Sequence, residues 1–98
     1  MNESHAWEAE YSPSVQIFSA LAHPLRFALA HHLCQDPHTV SELHQCLGVS
    51  QPLASHHLKI LKDANVIVGQ RQGRTTVYTI SDEHIRHIIN DVYVHTKE

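Results

Sequence analysis

Helical spacing of apolar residues runs through most of this chain, and runs of β-branched residues interrupt it in one region. Val15, Phe18, Leu21 and Ala22 share one helical face behind Pro13, which suits a first helical turn. Pro24 opens a second helix with Leu25, Ala28, Leu29 and Leu33 as its buried stripe, and Asp36-Pro37-His38 is the turn that ends it. Thr39-Val40-Ser41-Glu42 has the form of a capping box, so a short helix carries Leu43 and Leu47 up to a stop at Gly48. Ser50 caps the next helix, which has Pro52 in its first turn and Leu53, Leu58, Ile60 and Leu61 for the core. Val66-Ile67-Val68 and Thr76-Val77-Tyr78-Thr79-Ile80 read as strands around a glycine-bearing, basic turn, Gly69 to Arg74. A last helix is expected from Ser81 as N-cap, with Ile85, Ile88, Ile89 and Val92 as its stripe. Residues 1–12 are polar and irregular and are expected to be a flexible N-terminal arm, leaving 13–98 as one folded domain.

This pattern predicts a mainly α fold with a β-hairpin wing. Two helices joined by Gly48-Val49 make a helix-turn-helix, whose second helix presents Ser50, Gln51, Ser55, His56 and Lys59 to the major groove. Gln51 can pair with adenine, the serines and Lys59 can hold phosphates or base edges, and His56 or His57 can donate to phosphate. An ordinary helical hairpin with a polar face fits the two helices equally well, but it does not account for the hairpin that follows. Arg71 and Arg74 at the hairpin tip are placed to track phosphate or enter a minor groove, as in a winged helix.

Composition changes this picture in two respects. The chain has 98 residues and a formal charge of −3, which excludes coating nucleic acid through bulk positive charge. Yet Lys59, Lys62, Arg71 and Arg74 fall in one window whose sole acid is Asp63, so the local charge favours DNA. Two cysteines are too few for a disulfide framework, and no signal or bilayer-spanning run is present, so a reducing cytoplasm is expected. Neither HExxH nor a nucleophile motif occurs, which argues against a small zinc hydrolase.

The second respect is histidine, of which there are 11. Asp82 and His84 stand at the start of the last helix, and His95 and Glu98 stand three residues apart at its end. One helix cannot bring all four to one ion, because about 1.5 Å of rise per residue puts His84 and His95 roughly 16 Å apart. Two such helices packed antiparallel about a two-fold axis near Ile88 and Ile89 can, twice per dimer. Imidazoles and carboxylates without thiolate suit zinc, with cobalt or nickel as alternatives. A metal buffer without operator preference would carry the same ligands. His87 and Asp91, one turn apart, can make an unrelated site, and Cys46 has only His44 nearby in sequence and reads as packing.

Together, Ala20-Leu21-Ala22-His23-Pro24-Leu25-Arg26, Val40-Ser41-Glu42-Leu43, the run from Val49 to Ala64, and Gly73-Arg74 with Tyr78 resemble the ArsR/SmtB winged-helix repressors. The resemblance covers roughly residues 15–98. It implies a homodimer, joined through its N- and C-terminal helices, that sits on double-stranded operator DNA of metal-resistance genes and leaves when an ion binds. The zinc-sensing branch carries a D-x-H pair and, ten residues on, an H-x-x-E pair, which here fall on Asp82, His84, His95 and Glu98. Branches sensing softer ions place cysteines where this chain has Thr39, Val40 and Ser41. A nickel or cobalt sensor needs more ligands, for which His5 is the available candidate.

Overall fold

The computed structural model describes residues 5–98. Its elements are α1 (Ala6–Leu21), α2 (Pro24–Gln35), β1 (His38–Thr39), α3 (Val40–Leu47), α4 (Gln51–Asp63), β2 (Ile67–Gln72), β3 (Thr75–Ile80) and α5 (Glu83–Lys97). The expected winged helix-turn-helix is therefore present, with α3 and α4 as the two helices and β2–β3 as the wing.

Local capping sets the boundaries. Thr39 and Glu42 close the capping box around the start of α3, the Glu42 amide donating to Thr39 Oγ1 at 3.1 Å and the Thr39 amide to Glu42 Oε1 at 2.8 Å. The bond from the Thr39 amide also holds the Glu42 carboxyl below its ordinary range. Gly48 ends α3 in the left-handed region at φ 68°, and Ser50 Oγ then accepts from the Leu53 amide at 3.3 Å to start α4. At α5 the cap is Asp82 rather than the expected Ser81. Asp82 Oδ1 accepts from the Ile85 amide at 3.0 Å, while Ser81 Oγ is buried without a partner among the described residues.

The first helix differs more from expectation. It begins at Ala6, with Pro13 inside it, so residues 6–12 of the expected irregular arm are helical, and the first four residues lie outside those described. Pro13 removes the hydrogen bond to the Ala9 carbonyl. Both residues are exposed, so water can satisfy that carbonyl and the helix passes through.

The sheet has the order β1-β3-β2 and is antiparallel throughout. Its strands reach further than the β-branched runs, since Gln72 pairs with Thr75 and only Gly73 and Arg74 form the turn. Gly73 takes φ 66°, a conformation that a side chain would strain. Gly69 lies opposite Tyr78, and a Cβ there would meet Thr76 Cγ2 at 2.9 Å, so the glycine lets the aromatic ring lie across the strand.

Leu29, Leu33, Leu43, Leu58, Leu61, Val66, Ile67 and Ile89 are fully buried and form the core shared by α2 to α5 and the sheet. Cys34 joins them, and burial raises its thiol pKa. Two side-chain contacts fasten α5 onto α2: Arg86 donates to the Cys34 carbonyl, and the His31 and Tyr93 rings stack with centroids 4.0 Å apart. Burial, with His32 as a neighbour, lowers the His31 pKa.

Candidate nucleic-acid interface and metal ligands

Along α4 the buried residues are Ala54, His57, Leu58 and Leu61, spaced as one helical stripe. That phase turns Gln51, Ser55, His56 and Lys59 outward, and Ser50 is exposed at the cap. All five expected contacts on the helix thus lie on the solvent side. His57 does not: it is 8% exposed and cannot reach a phosphate. Leu53, expected in the core, is 43% exposed on the first turn of α4. Lys59 pairs with Asp63 at 2.9 Å, an exposed ion pair that adds little stability but holds the ammonium beside the helix.

The wing supplies the remaining cations. Arg71 and Arg74 are both exposed, and Arg71 donates to the Gly73 carbonyl at 3.3 Å across the tip. A polar cleft of about 340 Å³ connects wing and helices, lined by Ser41, Gln51, Arg74, Thr75 and Tyr78 among others. Gln51 and Arg74, read separately from the sequence, therefore share one surface.

The four expected metal ligands all lie on or beside α5 and are exposed. Asp82 uses Oδ1 to cap the helix, which leaves Oδ2 for coordination. His84, Ile88, Val92 and His95 follow one another at steps of four, four and three residues and so form one stripe. It lies apart from the side of α5 that carries Ile85 and Ile89 into the core. Within one chain, no three His, Cys, Asp or Glu side chains among the described residues come close enough to hold an ion. The four residues fit a zinc shell only if a second chain contributes half of it.

Beside that stripe runs an apolar groove of about 220 Å³, lined by Phe18, Leu21, Phe27, Ile88 and Val92 among others. Val15, Phe18 and Val92 are about half exposed. His87 shares a separate cleft with Glu83 and His84. Cys46 is exposed rather than packed, and its nearest polar partner is His32 Nδ1 at 3.8 Å rather than His44, whose Nδ1 is engaged with the Val49 carbonyl at 3.1 Å.

Comparison with known proteins agrees with this arrangement. A family model described as a helix-turn-helix domain matches residues 21–70. The arsenical resistance operon repressor of Bacillus subtilis is 36% identical over 77 residues, covering 78% of this chain and 73% of that protein. This chain belongs to the ArsR/SmtB family. An HTH-type transcriptional repressor SmtB of Mycobacterium tuberculosis is 43% identical over 83 residues, which cover 85% of this chain but only 62% of the repressor's length. A homodimeric winged helix-turn-helix DNA-binding domain from Mycobacterium bovis has the same fold, with a TM-score of 0.88 at 23% identity over 100% of this chain and 91% of its own. The family consists of transcriptional regulators rather than enzymes. No described helix is long and apolar enough to cross a membrane.

Two structural roles in this ArsR/SmtB chain lie outside the sequence expectations. His57 is a core histidine, and its signal was the position three residues after Ala54 and four before Leu61. Arg26 belongs to the motif around His23-Pro24, but its partners lie 6, 7 and 31 residues away, and no local pattern announces them.

Proposed function

We propose that this chain is a metal-responsive transcriptional repressor that binds operator DNA as a homodimer and is released when zinc binds paired sites between its C-terminal helices. The observation that carries this reading is the exposed stripe His84–Ile88–Val92–His95 on α5, apolar in the middle and metal-ligating at both ends. Antiparallel packing of a second copy would cover Ile88, Val92 and the groove with Phe18. It would also set Asp82 and His84 of one chain beside His95 and Glu98 of the other. Bound zinc would then join the two final helices.

Repression needs both recognition helices to enter successive major grooves, about 34 Å apart. Release follows only if zinc binds the DNA-incompetent dimer more tightly, because equal affinity shifts nothing. The ligands sit on helices that form the dimer, so a change in their mutual angle re-spaces the two α4 helices. By linkage, operator DNA weakens zinc binding by the same factor.

Anisotropy of promoter DNA at fixed salt, titrated with zinc and then chelator, tests the reading. Reversible release near two zinc ions per dimer supports it, as does loss of that response in His84→Ala. DNA affinity unchanged by zinc, cobalt and nickel would overturn it. His87, one turn from His84 in the same cleft, favours a second reading in which nickel or cobalt takes additional ligands. A stronger response to those ions, lost in His87→Ala, would select it.

A further inference from the structure

Beneath the recognition helix, Arg26 of α2 joins three elements. Its Nε donates to the Ala20 carbonyl at 2.6 Å and its Nη2 to the Ser19 carbonyl at 3.5 Å, at the last turn of α1. Its Nη1 lies 3.3 Å from His57 Nδ1 on α4. A guanidinium only donates, so His57 Nδ1 accepts and the ring carries its proton on Nε2. His23 lies against the other side of the network, its ring 4.5 Å from that of His57, and its Nδ1 accepts from the Leu25 amide at 3.1 Å to cap α2. A proton reaching neutral His57 must therefore go to Nδ1, the very atom that holds Arg26.

We infer that Arg26 and His57 form a bridge coupling the end of α1 to the recognition helix, with Arg26 a positioning residue for operator binding and His57 the atom site where a proton uncouples it. This rests on the reading of α4 as the DNA-contacting helix. The α1 helix lines the apolar groove where a second copy would pack, so the bridge connects that face to the DNA face by one side chain. The charged and titratable groups facing His57 are His23 at the N-cap of α2, Arg26 within α2 and His56 on its own helix, while α1 contributes backbone carbonyls.

Burial first, then His23, His56 and Arg26, lower the His57 pKa from its ordinary value. The folded protein thus prefers the neutral ring. The stability this ring contributes is complete above the unfolded value of about 6.5 and is lost as pH falls below it. Operator affinity should follow the same direction.

The test is promoter-DNA affinity of the full chain at constant salt between about pH 7.5 and about pH 5.5. Wild type should lose affinity as the pH falls below about 6.5. His57→Asn puts a carboxamide oxygen near the place of Nδ1, where it accepts from Arg26 but does not titrate. It should keep affinity within about threefold at the higher pH and abolish or reverse the acid loss. Arg26→Met should weaken binding at both values and flatten the profile, with Arg26→Lys as the milder variant if it folds poorly. A structural role alone would lower the melting temperature of His57→Asn and leave the shape of the wild-type profile, which would overturn the inference. Amide exchange on the protein without DNA decides the bridge separately: Arg26→Met should speed exchange in the last turn of α1 and around His57, and unchanged exchange there would refute it. Wild type that fails to distinguish promoter from random DNA counts against the operator reading, and the exchange result still decides the bridge.

Discussion

The helix-turn-helix and the face formed by α1 and α5 are built from the same kinds of residue at the same spacing, and they end in opposite conditions. In the first, Leu43, Leu58 and Leu61 are sealed, and both helix starts are capped by their own side chains. In the second, Phe18, Ile88 and Val92 remain open along a groove, and the four proposed metal ligands lie around them without meeting. The DNA-facing half is complete in one chain. The other half, on the function proposed, is completed by a second copy, so its stability should depend on concentration, whereas the local packing of α3 and α4 should not.

The largest effect should come from damaging the complete half. Leu61 is 0% exposed between α4 and the rest of the core, so Leu61→Ala should cost about 2–5 kcal/mol, read from urea unfolding at fixed protein concentration. A loss below about 1 kcal/mol would mean that the site collapses around the deletion and that the core is less closed than its burial indicates.

Next in size is Ile88→Glu, which attacks the open half. Two carboxylates would then face each other near the two-fold axis, and dimer affinity should fall about a hundredfold, about 3 kcal/mol, by sedimentation velocity. The far-ultraviolet spectrum should stay helical, because Ile88 is 36% exposed and lies off the buried side of α5. A dimer of unchanged affinity would move the contact away from this groove. The comparison would then need another explanation for the exposed stripe.

How much of this was legible in the sequence follows the same division. Capping boxes, Gly48 and Ser50 were readable because their physics closes within four residues. Pro13 misled because a proline inside a helix and one at its first turn look alike until the exposure of the Ala9 carbonyl is known. Leu53 and His57 exchange roles because helical phase outranks hydrophobicity: the stripe Ala54, His57, Leu58, Leu61 is present in the spacing, and it carries a histidine into the core while Leu53 faces out. Ser81 and Asp82 are both of a type that caps helices, and only the backbone turn decides between the two neighbours. Arg26, which reaches across 31 residues to His57, had no local sign. The exposed stripe His84, Ile88, Val92 and His95 on α5 was readable by spacing alone, because a helix converts sequence intervals into a face.

The smallest effect should separate the wing from the helix within the DNA-facing half. Arg74 is exposed and makes no side-chain hydrogen bond among the described residues, whereas Lys59 is paired to Asp63 and Arg71 is braced on Gly73. A phosphate contact by Arg74 releases about one counterion, so Arg74→Ala should reduce the slope of log affinity against log salt by about 0.9. It should also weaken promoter and random DNA by the same factor, because a phosphate carries no sequence. If the loss falls mainly on the promoter, Arg74 reads a groove rather than a backbone, and the wing contributes to specificity alongside Gln51. If the slope does not change at all, Arg74 stays off the phosphates, and Arg71 with the exposed residues of α4 carries the contact.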